Sequence, residues 1–317
     1  MSTILPIARY RFTARLREHL QLPEYAGSLL RGQFGAALRH LACMTRQPAC
    51  GGCPLQSTCP YTRLFEAVPP PEHRLQKFSA VPNAYVIEPP PLSCAPMAAG
   101  DALVFHMVLV GDAIQQLALV AFAWQRALSQ GLTRDRIASD LERIDWLDET
   151  GAVHTIWTRD APLLADHPAA LQWPEAPAGL RALRLDIRTP LRLQSQGHPL
   201  RAHELTPRAL VAAVARRVAL VLEFHARQAD WGERVPQLIA SCSDIEQDKR
   251  LRWYDWTRYS SRQQQEMTLG GVIGQWQLQA DPAVLKSLLP WLWLGQWLHV
   301  GKNATMGMGA YTLEAMA

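Results

Sequence analysis

The clearest pattern along the chain is a strict alternation of apolar and mostly basic residues near its N-terminus. The two alternating sets are Tyr10, Phe12, Ala14 and Leu16, and Arg9, Arg11, Thr13, Arg15 and Arg17. Successive side chains of a β-strand point to opposite faces, so this period of two predicts a strand with one buried face. The four arginines on the other face either lie in solvent or contact phosphate groups.

The first half of the chain has the element order of a ferredoxin-like domain. A helix is predicted over residues 27–44, where an apolar stripe that includes Phe34 and Leu41 repeats at helical spacing. A second helix is predicted between Asp112, with Gln115 as its reciprocal cap, and Gly131, which ends it. The predicted strands cover residues 9–17, 84–87, 102–110, 141–147 and 153–157. The order strand, helix, strand, strand, helix, strand is that of a ferredoxin-like unit.

The second half of the chain repeats this order, although the two halves share no visible sequence similarity. A proline- and alanine-rich stretch predicts a linker over residues 161–180, between domains at 1–160 and 181–317. Thr206 and Pro207 mark the start of a helix that runs to about residue 228. The other predicted elements are strands at 183–188, 251–259, 267–279 and 306–313 and a helix at 282–299. The expected fold class is therefore α+β, with two tandem ferredoxin-like (RRM-like) domains.

Composition adds limits to this picture. The chain has 317 residues, of which 48% are hydrophobic and 19% charged, so two folded domains with sizeable cores are expected. The net charge of +4 is too small to establish a nucleic-acid partner by itself. The apolar run at 288–300 is too short for a membrane span and predicts a buried helix. The N-terminus lacks the layout of a signal peptide, so we expect a reducing cytoplasm.

Four cysteines form a cluster within the segment 43–66. Cys43, Cys50, Cys53 and Cys59 follow the spacing C-x6-C-x2-C-x5-C. Two thiolates separated by two residues can hold one metal ion through a tight turn, and the outer pair can complete a tetrahedral site. Structural zinc is the first expectation. An iron–sulfur cluster and a reduced loop without metal are the alternatives.

A glycine-rich segment covers residues 295–309, near the C-terminus. It contains Gly301, Lys302, Asn303, Gly307 and Gly309. The spacing differs from that of a Walker phosphate loop, which needs a lysine followed by serine or threonine before a helix. Backbone N–H groups of such a segment can bind phosphate oxygens, with Lys302 adding a charge. The alternative is a tight turn between a helix and a strand.

A series of short segments in a fixed order makes the chain recognisable. The segments are LRGQFGAALR at 30–39, CGGCP at 50–54, CPY at 59–61, LFE at 64–66, LRWYDW at 251–256, RYS at 258–260, RQ at 262–263, MTLGG at 267–271, HVGK at 299–302 and GMG at 307–309. With them, nearly the whole chain resembles the CRISPR precursor-RNA processing endoribonucleases of the RAMP superfamily. It is most similar to the bacterial branch that carries a cysteine insert.

The resemblance implies cleavage of precursor CRISPR RNA within each repeat, without a catalytic metal. In that reaction the 2′-hydroxyl attacks the adjacent phosphorus and leaves a 2′,3′-cyclic phosphate and a 5′-hydroxyl. A base, an acid and a cation are needed, and histidine and arginine or lysine can supply them. The expected partners are CRISPR repeat RNA and other subunits of an interference complex in a prokaryotic cytoplasm, with no membrane.

The resemblance also indicates which residues carry the cut. His40, with Tyr25 before the helix and Arg46 after it, matches the family pattern, except that arginine replaces the usual lysine. His299 with Lys302 is the competing pair. The candidate RNA-binding residues are Arg9, Arg11, Arg15, Arg31, Arg39, Arg252, Arg258, Arg262, Gly301, Lys302, Asn303, Gly307 and Gly309. Around Arg252, arginines alternate with aromatic residues, which either stack on bases or pack one face of a strand pair.

Two alternatives come from other classes of protein. A relative without a working histidine would only bind repeat RNA, as an inactive subunit of an interference complex. The four cysteines alone also allow an iron–sulfur redox or sensing protein, which would absorb visible light.

Overall fold

The computed structural model describes residues 4–67, 81–260 and 265–317. It divides into two compact units. The first comprises Met1–Leu171 with Phe224–Ala226, and the second comprises Gln172–Glu223 with Arg227–Ala317. The main boundary, after Leu171, falls within the stretch predicted as a linker.

The elements are numbered in chain order. Those of the first unit are β1 (Ile4–Leu5), β2 (Ile7–Leu16), α1 (Gly27–Ala42), α2 (Pro60–Phe65), β3 (Tyr85–Glu88), β4 (Ala102–Val110), a 3₁₀ helix (Gly111–Gln116), α3 (Leu117–Gln130), β5 (Ser139–Leu147) and β6 (Val153–Thr158). From the boundary onward they are β7 (Leu171–Gln172), β8 (Ala182–Leu191), β9 (Gln194–Ser195), β10 (His198–Pro199), α4 (Pro207–Ala226), α5 (Asp230–Ala240), β11 (Glu246–Ser260), β12 (Gln265–Gln279), α6 (Pro282–Leu298), a 3₁₀ helix (Ala304–Met306) and β13 (Tyr311–Met316).

The sheet of the first unit confirms the ferredoxin-like prediction. Its antiparallel strands lie in the order β3-β4-β2-β5, with β6 added at the edge. The apolar face of β2 is buried, and Phe12 stacks on Phe105 with ring centroids 5.3 Å apart. The ring centroid of Trp124, on α3, lies 4.4 Å from that of Phe105 and 5.1 Å from that of Phe34, on α1. These aromatic contacts join both helices to one face of the sheet.

Two local predictions in the first unit were wrong. Leu41 is 43% exposed because α1 ends at Ala42, so the apolar stripe stops one turn earlier. Asp112 does not cap α3, since a 3₁₀ helix over Gly111–Gln116 comes first; its carboxylate instead pairs with Arg63 at 3.2 Å. The predicted stop at Gly131 is confirmed, with a φ of 95° that favours glycine.

The second unit has the same topology. Its antiparallel strands lie in the order β11-β12-β8-β13, and Thr206 caps α4 as predicted by accepting a hydrogen bond from the Ala209 N–H at 3.2 Å. The helix α5, with Trp231 and Val235 buried, was not predicted. The last strand begins at Tyr311 rather than at residue 306, because a 3₁₀ turn occupies part of the glycine-rich segment. Within the described residues, no helix has the length and apolarity needed to cross a bilayer.

Candidate functional site

A groove of about 630 Å³ lies along α1 in the first unit. Residues three, four or seven positions apart on a helix share a face, and this spacing brings side chains from both ends of α1 to the groove. The residues that matter for chemistry are Arg31, Arg39, His40, Arg46, Tyr61 and Phe65. Among the described residues that line it there is no carboxylate. The groove therefore presents positive charge beside an imidazole.

His40 lies exposed near the end of α1 and faces this groove. Its ring makes no hydrogen bond with any side chain or backbone group in the part of the chain that the structure describes. Histidine is the side chain most often used for proton transfer in catalysis. The position is thus suited to acid–base chemistry on a bound ligand.

The two residues predicted to assist His40 have different positions. Arg46 is exposed and lines the same groove, in the loop that follows α1. Tyr25 is only 2% exposed and is not a groove residue, and burial raises the pKa of its hydroxyl well above the usual value. The structure therefore brings Arg46, but not Tyr25, together with His40.

Aromatic side chains from α2 form the opposite wall, and we did not predict them as site residues. Tyr61 and Phe65 stack with centroids 5.5 Å apart, and the Arg31 guanidinium lies 4.3 Å from the centre of the Phe65 ring. Gly35 lets the Phe65 ring pack closely against α1, because a Cβ at this position would come within 2.5 Å of the ring. The i, i+4 spacing of the two aromatic residues was the available sequence signal.

The competing pair lies in the second unit. His299 is 2% exposed and follows the last residue of α6 with a φ of 53°. Its carbonyl oxygen accepts a hydrogen bond from Nε of Arg217 at 2.9 Å, and burial lowers the pKa of that guanidinium to about 10. Lys302 is exposed. The burial of His299 indicates a role in packing, since a ligand would have little access to its ring.

The glycine-rich segment packs against β8. The N–H of Lys302 donates to the Arg192 carbonyl at 2.9 Å, and the N–H of Gly309 donates to the Pro190 carbonyl at 3.1 Å. A Cβ at Gly309 would overlap the Val300 carbonyl. Gly309 is thus explained by the turn between α6 and β13. Among the predicted RNA-binding residues here, Gly307 and Gly309 are buried, Gly301 and Asn303 half-buried and Lys302 exposed.

Arg9, Arg11 and Arg15 of β2, and Arg17 directly after it, are paired with carboxylates of β3 and β5. The four pairs are Arg9–Glu88 at 2.9 Å, Arg11–Asp145 at 2.8 Å, Arg15–Glu142 at 3.0 Å and Arg17–Asp140 at 2.7 Å. Asp145 is fully buried and also accepts from Thr155 at 2.8 Å. The basic face is therefore largely neutralised within the sheet. The sequence did not reveal this, because the partners lie on other strands.

Arginine and aromatic residues do intermingle on β11. The Arg252 guanidinium lies 5.8 Å from the Tyr254 ring centre, and Trp253 lies 3.8 Å below the guanidinium of Arg201. The predicted RNA-binding residue Arg262 is outside the described residues, and the side chain of Arg258 is likewise not described.

All four clustered cysteines line one cavity of about 150 Å³. The N–H of Arg46 hydrogen-bonds to Cys43 and lowers the pKa of its thiol, whereas burial raises the pKa of the Cys50 thiol. Four thiols are a donor set that suits zinc. However, no three histidine, cysteine or carboxylate side chains in the described ranges are arranged to hold a metal ion. Zinc binding thus stays a prediction.

Two protein-family models match this chain. A family model described as an N-terminal domain matches residues 5–169, and the model for the CRISPR-associated endoribonuclease Cas6 matches residues 185–311. The chain contains a domain of the Cas6 endoribonuclease family, over residues 185–311. No curated protein sequence matches it significantly.

Solved Cas6 structures share the fold. The product complex of a Cas6 (TTHB231) has a TM-score of 0.59 at 14% identity and covers 97% of this chain and 100% of its own. The same Thermus thermophilus Cas6, in another structure, has a TM-score of 0.53 at 15% identity, with coverages of 98% and 99%. A partial Cas6-RT-Cas1–Cas2 complex has a TM-score of 0.58 at 15% identity and covers 98% of this chain, which spans 46% of that longer chain. These likenesses show that the chain shares the fold of two tandem ferredoxin-like units with Cas6 proteins.

Proposed function

We propose that the chain binds CRISPR repeat RNA and cuts precursor CRISPR RNA within the repeat, with the α1 groove as the cleavage site. The observation that carries this proposal is that His40 lies exposed among three arginines, in a groove with no carboxylate among its described lining residues. The match to the Cas6 family model and the likeness to solved Cas6 product complexes support RNA as the ligand.

The proposed reaction is the one that the resemblance to these endoribonucleases implies, and the groove offers side chains that suit it. The 2′-hydroxyl oxygen attacks the adjacent phosphorus and loses its proton to a base, while the bond from phosphorus to the 5′-oxygen breaks. The departing 5′-oxygen takes up a proton from an acid, so the products are a 2′,3′-cyclic phosphate and a 5′-hydroxyl. His40 serves in this proton transfer, and Arg46 stabilises the charge that develops on the phosphoryl oxygens. The RNA supplies its own nucleophile, so no metal-bound water is needed.

The test is cleavage of an RNA that carries the repeat of the host's own CRISPR array, in the presence of a strong chelator. We expect two fragments, one ending in a 2′,3′-cyclic phosphate and one beginning with a 5′-hydroxyl. Dependence on added magnesium, or fragments that end in a plain 3′-hydroxyl, would refute the mechanism. Intact RNA in a stable complex would instead support an inactive binding subunit.

Partners and metal content belong to the same proposal. Repeat RNA is the primary partner, and other CRISPR-associated subunits are further partners, supported by the Cas6-RT-Cas1–Cas2 assemblies that share the fold. We also propose that the cysteine cluster binds structural zinc, supported by its spacing and by the shared cavity, with its thiols drawing closer together than they lie here.

A further inference from the structure

The geometry points to Arg39 as a positioning residue that acts through Arg46, rather than as a direct RNA ligand. This inference rests on the proposed function, because Arg46 is the cation assigned there to the scissile phosphate. It changes the expectation from sequence, in which Arg39 was one of several arginines that bind RNA.

The guanidinium of Arg39 is engaged by the protein itself. Its Nη2 donates hydrogen bonds to the backbone carbonyls of Gln47 at 2.6 Å and Pro48 at 2.8 Å. The same guanidinium lies 5.9 Å from the centre of the Tyr61 ring. A charged donor that bridges two carbonyls eight and nine residues further along the chain ties the loop back onto α1.

Arg46 lies directly beside this attachment. Its φ of 54° is in the left-handed region, which residues with a Cβ seldom adopt unless their neighbours hold them there. The carbonyl of the next residue, Gln47, is held by Arg39. We name this arrangement the Arg39 clamp: Arg39, Arg46, Gln47 and Pro48.

The clamp fixes the backbone conformation of Arg46 and therefore the direction of its Cα–Cβ bond. All four of its residues line the groove that contains His40. Without the clamp, residue 46 is free to return to the common φ range, which redirects its Cα–Cβ bond and moves the guanidinium away from the imidazole. A displacement of this kind lowers the rate of the chemical step and leaves the affinity for RNA largely unchanged.

A double-mutant cycle tests the coupling. Single-turnover cleavage of the labelled host repeat RNA in chelator is measured for the wild type, Arg39→Ala, Arg46→Ala and the double variant, with the RNA dissociation constant of each. We expect about 100-fold loss for Arg46→Ala, from the removal of one charge-stabilising donor group. Arg39→Ala should lose at least about tenfold, and the double variant should lie within about threefold of Arg46→Ala.

A control variant keeps the outcome decisive. Arg63→Ala, a control outside the groove, should match the wild type. If the losses in cleavage rate of the two single variants multiply in the double variant, the two arginines act independently and the clamp is refuted. Weaker RNA binding by Arg39→Ala at an unchanged cleavage rate would also refute it. An inactive wild type would refute the proposed function instead, since the clamp variants are judged only against an active enzyme.

Discussion

We expect opposite effects on cleavage rate and on folding stability when His40 and His299 are each replaced by alanine. His40 is exposed in a groove and forms no contact that the core depends on, so its removal should change the free energy of unfolding by less than about 0.5 kcal/mol. Loss of acid–base catalysis should slow cleavage by roughly 100- to 10,000-fold. At about 1.4 kcal/mol for each power of ten, this raises the activation barrier by about 3 to 6 kcal/mol.

His299 should behave as a structural residue. It is 2% exposed, so His299→Ala leaves a cavity and should cost about 2 kcal/mol or more of folding free energy. The rate of the molecules that remain folded should change little.

The assay combines rate, affinity and stability for both variants. Single-turnover cleavage with protein in excess gives the chemical rate, titration gives the RNA dissociation constant, and urea unfolding gives the stability. A His40→Ala variant that cleaves within threefold of wild type would refute the assignment. So would a His299→Ala variant of normal stability that cleaves 100-fold more slowly.

Three smaller predictions follow from burial and strain. Asp145→Ala removes a fully buried carboxylate that pairs with Arg11 and accepts a hydrogen bond from Thr155, and it should cost about 2 kcal/mol in urea unfolding. Arg15→Ala, at an exposed pair, should leave the midpoint unchanged, and equal effects of the two variants would contradict the difference in burial. Gly309→Ala places a Cβ against the Val300 carbonyl at a φ of 71° and should cost about 2 kcal/mol; an unchanged melting temperature would show that the turn can relax. Metal analysis should find about one zinc per chain, and its removal by chelator should lower the melting temperature by several degrees; a metal-free protein of unchanged stability would contradict zinc binding.

The neutralised arginine face bears on where RNA contacts this chain. Each arginine of β2 has a carboxylate partner within 3.0 Å, and Asp145 has no exposure of its own. Phosphate binding at this face would first have to displace these pairs. Phosphate binding at the exposed guanidinium of Arg46 would not have to displace such a pair, because no carboxylate lines the α1 groove among the described residues.

Local pattern was sufficient for much of the fold. Alternation placed β2, and helical periodicity placed α1, because burial of one face leaves a period in the sequence. The motifs and their order were likewise sufficient to indicate the family. His40 could be selected as a candidate because it flanks the apolar stripe of its own helix.

Tertiary structure alone decided which candidates share a site. The carboxylate partners of β2 lie on β3 and β5, and the groove walls come from α1, α2 and the loop between them, so no window of sequence contains these contacts. The left-handed backbone of Arg46, its attachment by Arg39 and the burial of His299 also depend on the folded chain. A sequence pattern reports which face of an element is buried, whereas the pairing of charges and the access of a ligand depend on segments that only folding brings together.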